Sequence, residues 1–411
     1  MIDRRIFLRN SALAMVGAGT APLWLERALY ASGAPAPRKK ILVAVFQRGA
    51  ADGLNVVVPH GEKAYYRMRP NIAVPRPSAG SPDAAVDLDG FFGLHPSLAL
   101  LKPLFDQQHL AIVDAVGSPD PTRSHFDAQD YMESGTPGFK ATSSGWMNRA
   151  LPRGLGKVSP VRAVAMGATL PRALGGGQPA VSLQNLADFQ VRNAEAAGQL
   201  EQMYASATDP AMRATGRETF EAVSMLQTVR KQPYSPAGGA DYPPGSFGNS
   251  LKQIAQLIKA EVGLEMAFAD IGGWDHHVNE TGPRASQGQL ASLLAQFGQA
   301  LSSFWTDMGD RMADIALVTM SEFGRTAREN GNRGTDHGHA NFMFAMGGGI
   351  KGGKVYGQWP GLEQDQLYEG RDLALTTDFR DVLGEIVVRH LRTPSAAGVF
   401  PGHDPKFLGL A

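Results

Sequence analysis

The residues best suited to chemistry are acids and histidines that stand beside apolar runs. Asp275 and His277 lie in the sequence Asp-His-His, and Asp336 and His337 lie in the sequence Asp-His-Gly-His. Aspartate and histidine from separate loops are a ligand set that suits Zn²⁺, Mn²⁺ or Fe. The pattern therefore predicts a divalent metal site. The alternative is that these histidines only cap loops or bind main-chain carbonyls.

Two further acids follow apolar runs directly. Asp52 falls in the glycine-rich turn 47–55 (QRGAADGLN), and Glu322 comes two residues after the run 315–320. Aspartate is also common in turns because it tolerates their geometry, so Asp52 on its own has two equally good explanations. Its place after the first apolar run favours a ligand role for it, and Glu322 joins it as a candidate ligand.

One serine and two arginines could act on a substrate. Ser124 opens the sequence Ser-His-Phe-Asp, which is typical of an ordinary helix N-cap. The same position also suits a nucleophile, because the helix N-terminus offers unpaired N–H groups and a positive dipole. Arg48 and Arg325 flank the expected site and could pair with an oxyanion or form surface ion pairs. The chain lacks a Gly-x-Ser-x-Gly motif, which disfavours a metal-free serine esterase.

The elements that must position these residues alternate along the chain. Continuous apolar runs predict buried strands at residues 41–46, 110–113, 264–269, 315–320 and 342–346. Helical patterns cover about 207–232, 249–261, 286–308 and 377–390. This alternation predicts an α/β/α sandwich with a mainly parallel, doubly wound sheet. Ligands of such folds bind at the carboxyl ends of the strands, where the candidate residues converge.

Composition excludes several classes of function. The 411 residues carry 39 basic and 39 acidic side chains, so the formal net charge is zero. A protein that binds nucleic acid usually needs an excess of Lys and Arg to neutralise phosphates, so none is expected as a partner. The chain has no cysteine, which excludes disulfides, thiolate metal sites and cysteine nucleophiles.

The N-terminus is typical of an export signal. Residues 3–9 (DRRIFLR) fit a twin-arginine pattern, an apolar stretch follows at 12–25, and small residues occupy 31–36. We therefore expect a signal at 1–36, cleaved near 31–36, a role for the twin-arginine export machinery and a periplasmic location. No later apolar stretch is long enough to span a membrane. The remainder, 37–411, is expected to form one domain with an insertion around 136–250.

Five ordered motifs resemble a known family. They are FQRGAADGLN at 46–55, TRSHFDAQDYMESG at 122–135, GWDHH at 273–277, SEFGRT at 321–326 and GTDHG at 334–338. The chain thereby resembles the exported bacterial family of domain of unknown function 1501, which looks like a branch of the alkaline phosphatase and sulfatase superfamily. The resemblance implies an alkaline phosphatase-like α/β sandwich, a two-metal site and a Ser, Thr or formylglycine nucleophile.

Carried over by motif, the superfamily's first aspartate falls on Asp52 and its nucleophile on Ser124. Its Asp-x-x-x-His pair is similar to Asp275 and His277, with shorter spacing. Its Asp-His-Gly matches residues 336–338 by letters.

By topology, however, the Asp-His-Gly motif should end a strand, which places it at 321–324 and leaves His337, or less favourably His339, as the late histidine. The topological placement is preferred. It puts Phe323 where an imidazole ligand is expected, which implies that one metal position is weakened or empty. Asp336 could compensate from the adjacent loop.

These inferences predict an exported hydrolase that uses one or two divalent ions (Zn, Mn, Fe or Ca). Its substrate would be a small anionic or polymeric phosphate or sulfate ester, attacked by Ser124 or a metal-bound water. The alternative is a non-catalytic periplasmic binding or envelope-assembly protein that keeps a degenerate metal site.

Overall fold

A computed structural model describes residues 38–152, 158–186 and 194–411. The predicted export signal at 1–36 lies outside these residues. The longest strands form where the sequence is most continuously apolar, because a strand covered on both faces must bury every side chain. All seven residues of Ile41–Gln47 are buried, as are all seven of Ile315–Ser321.

The strands of the described residues are numbered in chain order. They are β1 (Ile41–Gln47), β2 (Val57–Val58), β3 (Val86–Asp87), β4 (Gly93–Leu94), β5 (Leu110–Gly117), β6 (Ala163–Met166), β7 (Val181–Leu183), β8 (Met266–Ile271), β9 (Ile315–Ser321), β10 (Asn341–Gly347), β11 (Val355–Tyr356) and β12 (Thr377–Asp378).

The helices are numbered in the same way. They are α1 (Gly53–Val56), α2 (Lys63–Met68), α3 (Lys102–Asp106), α4 (His125–Ser134), α5 (Trp146–Ala150), α6 (Ala194–Ala205), α7 (Pro210–Lys231), α8 (Ser246–Lys259), α9 (Gln289–Met308) and α10 (Phe379–Arg389). Three 3-10 helices cover Pro96–Leu101, Arg172–Leu174 and Gly309–Asp314.

Nine strands of the described residues form the central sheet, in the order β11-β5-β10-β9-β1-β8-β6-β7 with β12 beside β5. Strand β1 pairs in parallel with β8 on one side and β9 on the other. Strand β10 is antiparallel to both of its neighbours, β9 and β5. A second, three-stranded sheet has the order β2-β4-β3. The predicted mainly parallel α/β sheet is confirmed, with β10 as the exception.

The direction of β10 decides where the loop 322–340 lies. Strand β9 ends at the carboxyl edge of the sheet, and β10 starts at that same edge because it runs the opposite way. The connecting loop therefore stays at one edge instead of crossing a face of the sheet. Residues that precede β10 in the chain are thereby brought beside residues that follow β9, β1 and β8.

Alternating strand residues build two cores, one on each face of the sheet. Val43 and Val45 belong to the core that contains α8 and α9, whereas Ala44 and Phe46 belong to the core that contains α10. Helices thus cover both faces, which confirms the sandwich expected from the sequence. In the described residues, no helix combines the length and apolar character that a membrane crossing requires.

The stretch 136–250 contributes to the central sheet itself. Strand β6 pairs in parallel with β8, and β7 pairs in parallel with β6. Both strands are short, at four and three residues, so their apolar runs resemble ordinary loop sequence. The stretch was predicted to be an insertion, and this part of it extends the sheet.

A buried acid in β5 gives a pH-dependent prediction. Asp114 is buried, and its Oδ2 has no hydrogen-bond partner within the described part of the chain. Burial raises the pKa of Asp114 to about 7, well above its usual value. Between about pH 4 and 7 the folded protein holds a proton that the unfolded chain releases, so the free energy of unfolding falls as pH rises.

The Asp114→Asn variant lacks this titration. We expect the variant's free energy of unfolding, minus that of wild type, to be about 2–3 kcal/mol more positive at pH 8 than at pH 5, because only wild type loses stability over this range. Urea unfolding of both proteins at the two pH values measures this difference. If the free energies of unfolding of the two proteins differed by the same amount at both pH values, the raised pKa of Asp114 would be contradicted.

Candidate metal centre

Three histidine side chains meet at the carboxyl edge of the sheet. His337 Nε2 lies 3.0 Å from His125 Nε2 and 3.1 Å from His277 Nε2. His125 is the first residue of α4, His277 follows β8, and His337 precedes β10. Three separate segments of the fold thus bring the same ring atom to one point.

The opposite nitrogen of each ring is already occupied. The Nδ1 atoms of His125, His277 and His337 lie 2.8 Å from Glu322 Oε1, 3.0 Å from Asp336 Oδ1 and 2.9 Å from the Arg123 carbonyl oxygen, respectively. Each Nδ1 therefore donates its proton outward, and in its neutral form each ring turns an Nε2 lone pair inward. Lone pairs at this spacing repel one another unless a cation or proton lies among them. Carboxylate or carbonyl partners at the far nitrogen are also the usual outer support of metal-binding histidines.

Asp275 adds a carboxylate to the three imidazoles. Its Oδ1 lies 3.0 Å from His277 Nε2 and 3.3 Å from His337 Nε2, and its Oδ2 lies 3.5 Å from His125 Nε2. The ligand atoms of His125, Asp275 and His337 all lie within 4.8 Å of one another. This donor set of imidazole nitrogens and one carboxylate oxygen fits a first-row divalent ion.

Arg325 fastens Asp275 in this position. Its fully buried guanidinium donates to Asp275 Oδ1 at 2.6 Å. Its other bonds reach the carbonyl oxygens of Gly49 (2.6 Å), Ala50 (2.7 Å), Trp274 (3.1 Å) and Thr335 (3.2 Å), and its Nη1 also lies 3.5 Å from His277 Nε2. Burial alone would raise the pKa of Asp275, but the Arg325 guanidinium outweighs it and lowers that pKa. Arg325, for which oxyanion binding and an ion pair were the alternatives, thus pairs with a candidate ligand residue and connects three loops.

Glu322 forms a hydrogen bond with the imidazole of His125. Its buried carboxylate accepts hydrogen bonds from His125, from Gln129 Nε2 at 2.9 Å and from the Gly49 amide at 2.9 Å. Burial would raise the pKa of Glu322, but these hydrogen bonds lower it. The hydrogen bond from His125 to Glu322 raises the pKa of that imidazole in turn. Glu322 was predicted to be a metal ligand itself, and in the structure it accepts a hydrogen bond from the candidate ligand His125. Asp336 does the same for His277.

Arg48 and Asp52 are not brought into this group. Arg48 donates to Glu133 Oε1 at 2.6 Å and to Asp270 Oδ1 at 2.8 Å. Asp52 accepts two hydrogen bonds from Arg69, at 2.5 Å and 2.9 Å, and both side chains are buried. Arg48, for which oxyanion binding and an ion pair were the alternatives, therefore forms ion pairs, and so does Asp52, which was predicted to be a metal ligand.

Ser124 is the N-cap of α4, as the sequence predicts. Its Oγ accepts a hydrogen bond from the Asp127 amide at 3.5 Å, and the residue is exposed to solvent. It directly precedes His125 in the chain. The sequence motifs did not single out His125 as a candidate ligand, although the first residue of a helix that follows a strand lies at the same edge.

Phe323 and His339 take structural positions beside the centre. The Phe323 ring is buried, with its centroid 5.0 Å from the rings of both His125 and His337. His339 stacks on Tyr368 with a centroid separation of 4.4 Å. Phe323 thus forms an apolar wall behind two imidazoles, and His337 is the late histidine that joins the group.

Asp372 supports His337 through two arginines. Its buried carboxylate accepts hydrogen bonds from Arg123 Nη2 at 2.6 Å and from Arg371 Nε at 2.8 Å. The Arg123 carbonyl accepts from His337 Nδ1, and Arg371 Nη2 donates to the His337 carbonyl. No motif in the sequence singles out Asp372, because its partner Arg123 lies 249 residues away.

We expect the Asp372→Asn variant to bind Zn²⁺ up to about tenfold more weakly, the lower end of the effect of removing a direct partner of a metal ligand, because Asp372 acts on His337 only through Arg123 and Arg371. Competition with a chromophoric chelator measures the affinity. The matched control is Asp378→Asn, because Asp378 also pairs with an arginine, Arg380, but that arginine, unlike Arg123 and Arg371, contacts no candidate ligand. Equal affinities of the two variants would contradict a positioning role for Asp372.

Comparison with known proteins adds the following. The solved structures that resemble the chain include the C-terminal periplasmic domain of EcEptC from Escherichia coli in complex with Zn. The two sequences are 9% identical, the match covers 76% of this chain and 74% of that chain, and the TM-score is 0.33. PsFucS1 sulfatase from Pseudoalteromonas sp. is 12% identical, the match covers 93% of this chain and 71% of that chain, and the TM-score is 0.37. PH0037 protein from Pyrococcus horikoshii shows 9% identity, coverage of 76% and 86%, and a TM-score of 0.29.

At these TM-scores the likeness carries no inference about this chain. No curated protein matches it. The family described as "Protein of unknown function (DUF1501)" matches residues 108–396, a span that contains all four residues of the candidate centre. This chain therefore belongs to the DUF1501 family.

Proposed function

We propose that the protein binds one divalent cation with His125, Asp275, His277 and His337 and, once exported, hydrolyses a phosphate or sulfate ester there. The convergence of three Nε2 atoms whose partner Nδ1 atoms are bound elsewhere is the observation that carries the proposal. An imidazole-rich set favours Zn²⁺, Mn²⁺ or Fe over Ca²⁺, which prefers oxygen ligands.

The count of ions follows from the same residues. Among the described side chains, His125, Asp275 and His337 form the one group of three His, Asp or Glu ligands that converge. His277 joins this group through His337 and Asp275. Phe323 presents a hydrocarbon ring where the family resemblance implied a further imidazole. A single ion therefore fits the described residues better than two.

The residues around the ion have separable tasks. A bound divalent ion would polarise an ester oxygen and acidify water at neutral pH. Glu322 and Asp336 fix the tautomers of two imidazoles, and Arg325 keeps Asp275 ionised and oriented. Ser124 lies at the positive end of α4, where the helix dipole favours an ionised hydroxyl and a negatively charged transition state.

The test has two steps. Elemental analysis of protein purified after native export should find about one equivalent of metal, lost in the Asp275→Ala/His277→Ala double variant. The metal-replete protein should then cleave at least one substrate in a panel of phosphate and sulfate mono- and diesters. A stoichiometric metal without activity on any ester would overturn the hydrolase and leave a metal-binding protein.

Ser124 gives a more specific prediction. If its hydroxyl is the nucleophile, Ser124→Ala should lower kcat by at least about 100-fold without changing metal content. Ser118→Ala is a suitable control, because Ser118 is a buried serine six residues away that caps no helix of the described chain. An unchanged kcat in Ser124→Ala would assign the attack to water.

A second candidate is a non-catalytic periplasmic binding or envelope-assembly protein that keeps the ion. The observation that favours it is the pairing of Arg48 and Arg325 with carboxylates, which leaves neither guanidinium turned toward a substrate anion. Under this candidate Ser124→Ala would preserve both ligand binding and the cellular phenotype. A function lost in that variant would exclude it.

A further inference from the structure

Two large apolar side chains that face solvent are each next in the chain to a candidate metal ligand. Phe126 directly follows the ligand His125 and is 89% exposed, and Val278 directly follows His277 and is 50% exposed. Both side chains are carried by segments that also present a ligand. Single exposed apolar residues are normal on protein surfaces, so their meaning depends on whether others lie beside them.

Two more such residues lie beside α4. Phe139 is 59% exposed and Leu170 is 41% exposed. Ion pairs between neighbouring residues and α4 hold their segments there: Lys140 Nζ lies 2.5 Å from Asp127 Oδ1, and Arg172 Nη1 lies 2.9 Å from Asp130 Oδ1. We call Phe126, Phe139, Leu170 and Val278 the apolar rim. It contains four of the nine large apolar side chains exposed within the described ranges.

The cations near the centre are already committed to carboxylates. Arg123 binds Asp372 and Glu369, and Arg371 also binds Asp372. Arg48 and Arg325 are paired as described above. A small anion would therefore gain little from fixed guanidinium groups at this edge of the sheet. Binding energy for a substrate must come from the ion, the α4 N-terminus and the surface next to them.

We infer that the apolar rim binds the alcohol part of the ester, and that this part is an apolar aryl or alkyl group. The inference rests on the proposed function, which supplies the reacting ester at the metal centre. It adds the substrate class: an amphiphile with an anionic phosphoryl or sulfuryl head and an apolar body. Phe126 is the principal specificity residue, because it is the most exposed of the four and adjoins a ligand.

Binding of stable phosphonates to the Zn²⁺-loaded full-length protein tests this without any turnover. By isothermal titration calorimetry, phenylphosphonate should bind at least about tenfold more tightly than methylphosphonate, the gain expected when part of an aromatic ring leaves water. Phe126→Ser should reduce this ratio to about threefold or less with metal content unchanged, and Phe126→Leu should retain most of it. Leu100→Ser is the matched control, because Leu100 is 55% exposed on the 3-10 helix Pro96–Leu101, which contributes no candidate ligand.

The outcomes separate the rim from the centre. Equal affinities for the two phosphonates in the metal-loaded wild type, or binding of neither, would overturn the rim and leave the metal site standing. Absence of bound metal would overturn the proposed function itself. Vesicles of neutral phospholipid provide a further arm: sedimentation with them that Phe126→Ser abolishes, without any phosphonate preference, would assign the rim to a lipid surface and overturn the substrate assignment.

Discussion

Replacing His337 by alanine is expected to lower the affinity for Zn²⁺ by at least about 100-fold, more than the loss of an outer partner usually costs. His337 Nε2 lies within 3.3 Å of candidate ligand atoms on His125, His277 and Asp275, so it is the atom that links the whole group. Its imidazole is partly exposed, and the fold should tolerate the truncation. Chelator competition measures the affinity, and circular dichroism checks that the variant is folded.

His339→Ala is the control for this experiment. His339 lies two residues further along the chain but stacks on Tyr368 and contacts no candidate ligand. Its loss should change the Zn²⁺ affinity by no more than about threefold, because the donor set stays complete. If both variants lost affinity to the same degree, the loss would reflect damage to the loop, and His337 would have no ligand role.

Replacing Arg69 by alanine is expected to destabilise the fold by about 3–5 kcal/mol, the usual cost of leaving a buried charge without its partner. Arg69 is fully buried and donates to both oxygens of Asp52 as well as to the carbonyls of Thr326 and Ala327. Burial would raise the pKa of Asp52, but Arg69 lowers it and keeps this carboxyl ionised. Burial and the neighbouring Asp52 charge raise the pKa of Glu280, and Asp52 is the carboxylate that pairs directly with Arg69.

Urea unfolding at pH 7 measures this effect, with Arg67→Ala as the control. Arg67 pairs with Glu363 on the surface, where both side chains are more than half exposed. Exposed pairs contribute about 0–1 kcal/mol, so the control should unfold close to wild type. A loss below about 1 kcal/mol for Arg69→Ala would mean that water reaches the Asp52 pocket and that the pair is not structural.

The strands that carry the centre could be predicted because they are long and buried on both faces. Residues 41–46 and 315–320 have no polar side chain other than Thr319, and the structure extends each by one residue. Strands β6 and β7 could not be predicted, since runs of only four and three residues are too short to show a period that separates a strand from a loop.

The candidate site was predictable in position more than in detail. Asp275, His277 and His337 follow from their place at strand ends, and the structure brings them together. Whether a charged residue faces a ligand or another side chain depends on residues far away in the chain. Asp52 pairs with Arg69, and Arg48 pairs with Asp270, 222 residues later. The spacing of residues along the sequence does not predict such distant partners.

Anomalous X-ray diffraction from crystals of the protein grown with Zn²⁺ tests the central claim most directly. One peak is expected at the carboxyl edge of the sheet, about 2.0–2.2 Å from Nε2 of His125 and His337 and from a carboxylate oxygen of Asp275. His277 Nε2 is expected as the fourth protein ligand. A map without a peak among these residues would contradict the metal centre and the function proposed from it. This holds whether zinc binds elsewhere in the crystal or does not bind at all.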